Sequence, residues 1–248
     1  MKKQISILLF LFPFLLSAQE TEGYIRYLIT HNWTKKMAAV DYISKQQKER
    51  LSYIWGSRSE WKQYADFYFN ENETRYEDSE ESPEDDDNGY AWRKEAYSIR
   101  HNYTNNTEKD VITLLEKAYL IEDSIKGQEW KILNDMKEVA GHICMNAVCE
   151  DTLKMQTITA WFALDMPISG GPERLCGLPG LILEIDVNNG AMTIVADKIE
   201  MKKLTKELEM PKKIKGKKIT EAAYSEMLRK YVAEKRKAEE PPFWGMRY

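Results

Sequence analysis

The chain has only three histidines, His31, His101 and His142, and three cysteines, Cys144, Cys149 and Cys176. These are its main candidates for holding a metal or acting as a nucleophile. His142 and Cys144 are two residues apart, and in a strand that spacing puts both side chains on one face. If the fold brings Cys176 close, with Met145 or Met155 assisting, the imidazole, thiolate and thioether donors suit copper or zinc. The spacing His-x-Cys matches no zinc template. The simpler expectation is one disulfide or buried thiols, with one thiol left over in an oxidising compartment. Cys149 has the opposite parity to Cys144, which is poor geometry for a bond within one regular strand.

A second arrangement pairs Glu173 with Glu184 or Asp186 for acid–base hydrolysis. Carboxylates on the solvent face of a strand are the simpler expectation. No Gly-x-Ser-x-Gly elbow accompanies the histidines. Gly170-Gly171-Pro172 lacks the Lys and Ser/Thr of a phosphate-binding loop. The acidic stretch Glu77 to Gly89 reads as a solvated loop, since Asp85-Asp86-Asp87-Asn88-Gly89 lacks the spacing of a calcium loop. Asp123-Ser124-Ile125 and Asp151-Thr152-Leu153 resemble O-glycan acceptor triplets of exported bacterial proteins. No residue is assigned a catalytic role.

Export is the expected fate. Lys2-Lys3, the apolar run Ile5 to Leu16 and Leu16-Ser17-Ala18 form a secretory signal over residues 1–18, cleaved after Ala18. No cysteine precedes Cys144, so no lipid anchor at a mature N-terminal cysteine is expected. No later stretch reaches the roughly 20 apolar residues of a membrane helix. The formal charge is −4, and loss of Lys2 and Lys3 would make it −6. That balance disfavours nucleic acid as a partner.

The elements that would position these groups are mostly strands, in keeping with seven Trp and fourteen Tyr. Strands are expected at Gly23 to Ile29, Tyr64 to Arg75, Trp92 to His101, Ala118 to Asp123, Trp130 to Lys137, Val139 to Glu150 and Met155 to Leu164. Thr107 to Lys117 could be a short helix. Apolar spacing predicts one amphipathic helix near residues 34–55, and another over Thr220 to Ala238 with Thr220 as N-cap. Leu181 to Val187 alternates in polarity, and Asn189-Gly190 signals a two-residue hairpin leading into Ala191 to Ile199. Pro241-Pro242-Phe243-Trp244 has the look of an exposed docking tail.

Gly171-Pro172 and Gly177-Leu178-Pro179-Gly180-Leu181-Ile182 precede that hairpin. Glycine supplies positive φ or close backbone approach and proline fixes φ, so the cluster reads as a shaped turn.

Gly171-Pro172-Glu173-Arg174, followed by Gly177-Leu178-Pro179-Gly180-Leu181-Ile182-Leu183-Glu184, resembles the signature of the GLPGLI family, exported proteins of Gram-negative bacteria. Trp130-Lys131-Ile132-Leu133, Gly141-His142-Ile143-Cys144, and Ala160-Trp161-Phe162 before Met166-Pro167-Ile168 agree with it. The resemblance is strong from about Trp130 to Glu200 and looser from Tyr24. It implies an exported, mostly β protein and transfers no catalytic residue.

Together these features predict an α+β, mostly β fold. It comprises a curved antiparallel sheet or half-barrel of roughly eight to ten strands, one helix near the N-terminus and one at the C-terminus. The signal would span 1–18, a β-rich domain 19–205 and a basic helical tail 206–248. The expected function is that of a non-enzymatic binding or accessory protein of the periplasm or cell envelope, with an envelope protein or apolar ligand as partner. A copper- or zinc-handling protein using His142, Cys144 and Cys176, and a carboxylate-dependent hydrolase, are the alternatives.

Overall fold

A computed structural model describes residues 21–55, 59–83, 96–211, 214 and 216–248. The expected signal, residues 84–89 of the acidic stretch and the start of the strand expected at Trp92 lie outside the described residues.

The fold is mostly β. The strands are β1 (Gly23–Asn32), β2 (Glu60–Phe69), β3 (Glu73–Asp78), β4 (Tyr97–Asn102), β5 (Thr107–Leu114), β6 (Lys117–Asp123), β7 (Lys131–Val139), β8 (His142–Asp151), β9 (Gln156–Ala163), β10 (Leu181–Val187), β11 (Met192–Met201) and β12 (Lys217–Ile219). They form one open sheet in the order β12-β6-β5-β4-β3-β2-β1-β11-β10-β9-β8-β7. Every pairing is antiparallel except β12 with β6, which is parallel. Among the described residues three α-helices accompany the sheet: α1 (Trp33–Ala39), α2 (Lys45–Trp55) and α3 (Glu221–Lys237).

Alternation sets the core. Along β1, Ile25, Tyr27 and Ile29 are fully buried, while the residues between them are not. Their neighbours Phe67, Ala196 and Ile194 continue the same face across the register. Burying each large apolar side chain contributes roughly 1.5–3 kcal/mol, which fixes which face turns inward. Tyr27 also ties this face to the glycine-rich turn, because its Oη donates to the Ile182 carbonyl at 2.6 Å.

Several local expectations change. The single helix near residues 34–55 is two helices. Asn32 caps α1 by accepting from the Lys35 N–H, and α2 starts on a capping box in which Ser44 and Gln47 bond each other's backbone N–H. Thr107 to Leu114 is strand β5, not a helix. Tyr64 to Arg75 is split between β2 and β3, because Asn70 Oδ1 accepts the N–H groups of Asn72 and Glu73 and turns the chain. The turn after β10 is longer than two residues, since Val187 pairs with Met192 and Asn188, Asn189 and Gly190 all have positive φ. Phe243, expected in an exposed tail, is buried at 6% exposure against Trp33, although Trp244 beside it is half exposed.

Candidate functional site

A cavity of about 350 Å³ opens beside the core face of the sheet. Ile158 of β9 and Ile185 and Val187 of β10 line its apolar side, with Ile112 of β5. Tyr224 and Leu228 of α3 face it, as do Lys154 in the turn before β9 and Arg247 and Tyr248 in the C-terminal segment. Thr220 accepts from the Ala223 N–H, which starts α3 where its apolar residues meet the sheet.

Two buried ion networks flank this space. Arg174 Nε donates to Asp110 at 2.7 Å, and its Nη2 donates to Glu108 and Glu221 at 2.7 Å each. Burial works against the Arg174 charge, but Asp110, Glu221 and Glu108 outweigh it and raise its pKa. Burial raises Glu108 to about 7 and Asp110 to about 6, and Arg174 opposes both shifts. In the second network Arg247 Nε donates to both oxygens of Glu173 at 2.9 and 3.0 Å, and its Nη2 donates to Asp78 at 2.7 Å. The Arg247 guanidinium lies 3.6 Å from the Tyr97 ring centre. Tyr76 and Tyr97 donate to Glu173, and burial raises both phenols well above their ordinary pKa.

Two donors at this cavity stand apart. Lys154 makes no ion pair or side-chain hydrogen bond among the described residues. Burial lowers its pKa, with Asp151 and Glu173 opposing that effect and Arg247 and Arg174 adding to it. Gln156 is 3% exposed, and its Nε2 has no partner. An unpaired buried donor costs about 1–3 kcal/mol, which applies to Gln156, while Lys154 is half-buried and offers the cavity a cation without an ion-pair partner among the described residues.

The expected copper or zinc set is not assembled. His142 Nδ1 lies 2.7 Å from Asp165 Oδ2. Cys144 is buried in β8 near Lys137 and Glu184, and Cys176 sits near Gln128, Lys126 and Arg174. All three cysteines are free and buried, so of the two simpler expectations, one disulfide or buried thiols, the structure has the buried thiols. Burial raises Cys144 and Cys176 to about 11 and Cys149 to about 12, which keeps them protonated and poorly nucleophilic. Among the described residues the one group of three metal-binding side chains is His101, Glu108 and Asp110.

The carboxylate pair is not assembled either. Glu173 belongs to the Arg247 network, Glu184 pairs with Lys137 at 2.6 Å, and Asp186 accepts the Gly190 N–H at 2.6 Å. Gly171, Pro172, Leu178, Gly180, Leu181 and Ile182 are all buried, whereas Gly177 and Pro179 are exposed. Gly177 has a φ of +94°, and a Cβ on Gly180 would sit 2.2 Å from the Ala163 carbonyl oxygen. This turn supports the start of β10 and carries Glu173 and Arg174 to the cavity. Sequence reasoning missed Arg174, Arg247, Lys154 and Gln156.

The family model described as N-glycanase peptide, N-terminal domain, matches residues 82–226. This chain belongs to that family. The glycine-rich turn lies inside the matched stretch. Two crystal structures of PNGF-II share its fold. One, in space group C2, has a TM-score of 0.54 and 16% identity over 84% of this chain and 32% of the other. The second, in space group P21, has a TM-score of 0.54 and 15% identity over 84% of this chain and 33% of the other. The chain thus spans about a third of the length of those structures. No curated protein matches it.

Proposed function

We propose that this protein is an exported, non-enzymatic binding or accessory protein whose cavity takes a glycan fragment carrying one acidic group. The observation that carries this reading is the pair of unpartnered donors, Lys154 and Gln156, at the cavity between sheet and α3. A carboxylate-bearing saccharide supplies acceptors for both, and its ring faces suit Tyr97, Tyr224 and Tyr248. Polar ligands need such placed donors, and the surrounding apolar wall excludes competing water. Membership of a family described as the N-terminal domain of an N-glycanase supports a glycan as the ligand class. The charged lining argues against an apolar ligand, one of the two partners expected from the sequence, the other being an envelope protein.

The thiols are buried and held protonated, so they offer the cavity no nucleophile. The test is native mass spectrometry of the purified chain with a mixture of released neutral and acidic N-glycans. The expected result is a one-to-one complex enriched in acidic species and no change in glycan mass. Free protein at every glycan concentration, or hydrolysis of the glycan, overturns the reading.

A further inference from the structure

His101 of β4 and Glu108 and Asp110 of β5 meet across the β4–β5 pairing, and all three are buried, at 4%, 4% and 0% exposure. One ligand atom from each lies within 4.8 Å of the others. His101 Nε2 has no hydrogen-bond partner and faces Glu108 Oε2 at 3.9 Å. That separation is too long for a hydrogen bond. It is close to the spacing of two ligands on one metal ion, each held at about 2.0–2.2 Å.

The oxygens are apportioned in a telling way. Arg174 donates to Glu108 Oε1 and Asp110 Oδ2 and the Arg100 N–H donates to Asp110 Oδ1, while Glu108 Oε2 faces the imidazole. Glu108, Asp110 and Glu221 share one guanidinium, and burial disfavours the charged forms of Glu108 and Asp110, a cost that a bound cation would relieve. Buried uncompensated charge is expensive unless paired or metal-bound. Glu108 also lines the cavity, which gives an ion a route inward.

We propose that His101, Glu108 and Asp110 form a binding site for one divalent transition-metal ion of the zinc class, held by one imidazole nitrogen and two carboxylate oxygens. Arg174 then orients the two carboxylates from outside the coordination sphere, as a supporting hydrogen-bond donor does at metal sites. Glu108 and Asp110 act electrostatically on the Cys176 thiol, but no cysteine belongs to the ligand group, and the site does not depend on the glycan reading.

The test uses the full chain stripped with a chelator and then titrated with Zn²⁺ against a chromophoric competitor. The expected stoichiometry is one ion per chain. His101→Gln and Glu108→Gln should each weaken binding by at least about tenfold. Co²⁺ substitution needs no variant and gives a second readout, with visible bands of a nitrogen–oxygen ligand set and no thiolate-to-cobalt charge transfer. Absence of Zn²⁺ binding, a thiolate band, or affinity unchanged in both variants overturns the proposal. Repeating the glycan titration with chelator present separates the two claims, since glycan binding that persists while Zn²⁺ fails refutes only the metal site.

Discussion

Arg247 Nε donates to both carboxylate oxygens of Glu173, at 2.9 and 3.0 Å. This clamp joins the C-terminal segment to the turn that precedes β10, and it closes one wall of the cavity. Glu173 is therefore tied into the structure through Arg247, Tyr76 and Tyr97.

Cutting the clamp should be costly. Arg247→Met leaves Glu173 and Asp78 without their shared cation, and breaking a buried pair from one side costs roughly 3–5 kcal/mol. Arg247 and its partners are 15%, 12% and 29% exposed at their side chains, which puts the expected loss at the lower end. Urea denaturation followed by tryptophan fluorescence measures it. A loss below ~1 kcal/mol would mean that water compensates the two acids.

The glycine-rich turn should respond as scaffold. A Cβ on Gly180 would overlap the Ala163 carbonyl oxygen, so Gly180→Val should destabilise the fold by more than the ~1–3 kcal/mol typical of core overpacking. Thermal melts and secretion yield report it. A variant that melts normally but no longer binds a glycan would make this turn part of the binding site.

Buried Lys36 supplies a pH dependence of known sign. Its Nζ lies 2.6 Å from His31 Nδ1 and 4.1 Å from the Tyr248 ring centre, and it is 2% exposed. Burial lowers its pKa well below the ordinary value of 10.5, with Arg247 and Lys154 adding to the effect and Glu173 opposing it. Between the folded and unfolded values the unfolded chain holds the extra proton, so stability rises with pH in that window. Lys36→Met removes this dependence. Its melting temperature relative to the parent should become less favourable as pH rises from about 7 towards 10. A difference that stays flat over that range would show that Lys36 keeps its proton when folded.

The thiols should behave as three free, shielded groups. A chromogenic disulfide reagent should react slowly with the native chain and consume three thiols per chain after denaturation without reductant. Recovery of one thiol would show a disulfide.

Much of the sheet is legible in sequence because it alternates. Leu181 to Val187 shows its inward face by polarity alone, and Thr220 announces the start of α3. β5 is hidden for the opposite reason: its buried positions include Glu108 and Asp110, so the polarity pattern inverts where Arg174, distant in sequence, neutralises them. The capping box at Ser44 and Gln47 was readable and would have split the first helix. The cavity could not be read, since Lys154, Gln156, Arg174 and Arg247 meet only through the pairing of distant strands and the return of the C-terminal segment. The cysteine and histidine spacing suggested a metal set that β8 and the loop before β10 hold among different neighbours.

Lys154 carries the central claim, so the most direct measurement is calorimetric titration of a carboxylate-bearing oligosaccharide and its neutral counterpart into the parent protein and Lys154→Met. The parent should prefer the acidic ligand, and the variant should lose about 10–100-fold in affinity for it, the equivalent of one charged hydrogen bond, while binding the neutral ligand as before. Equal affinity of parent and variant for the acidic ligand would contradict the account.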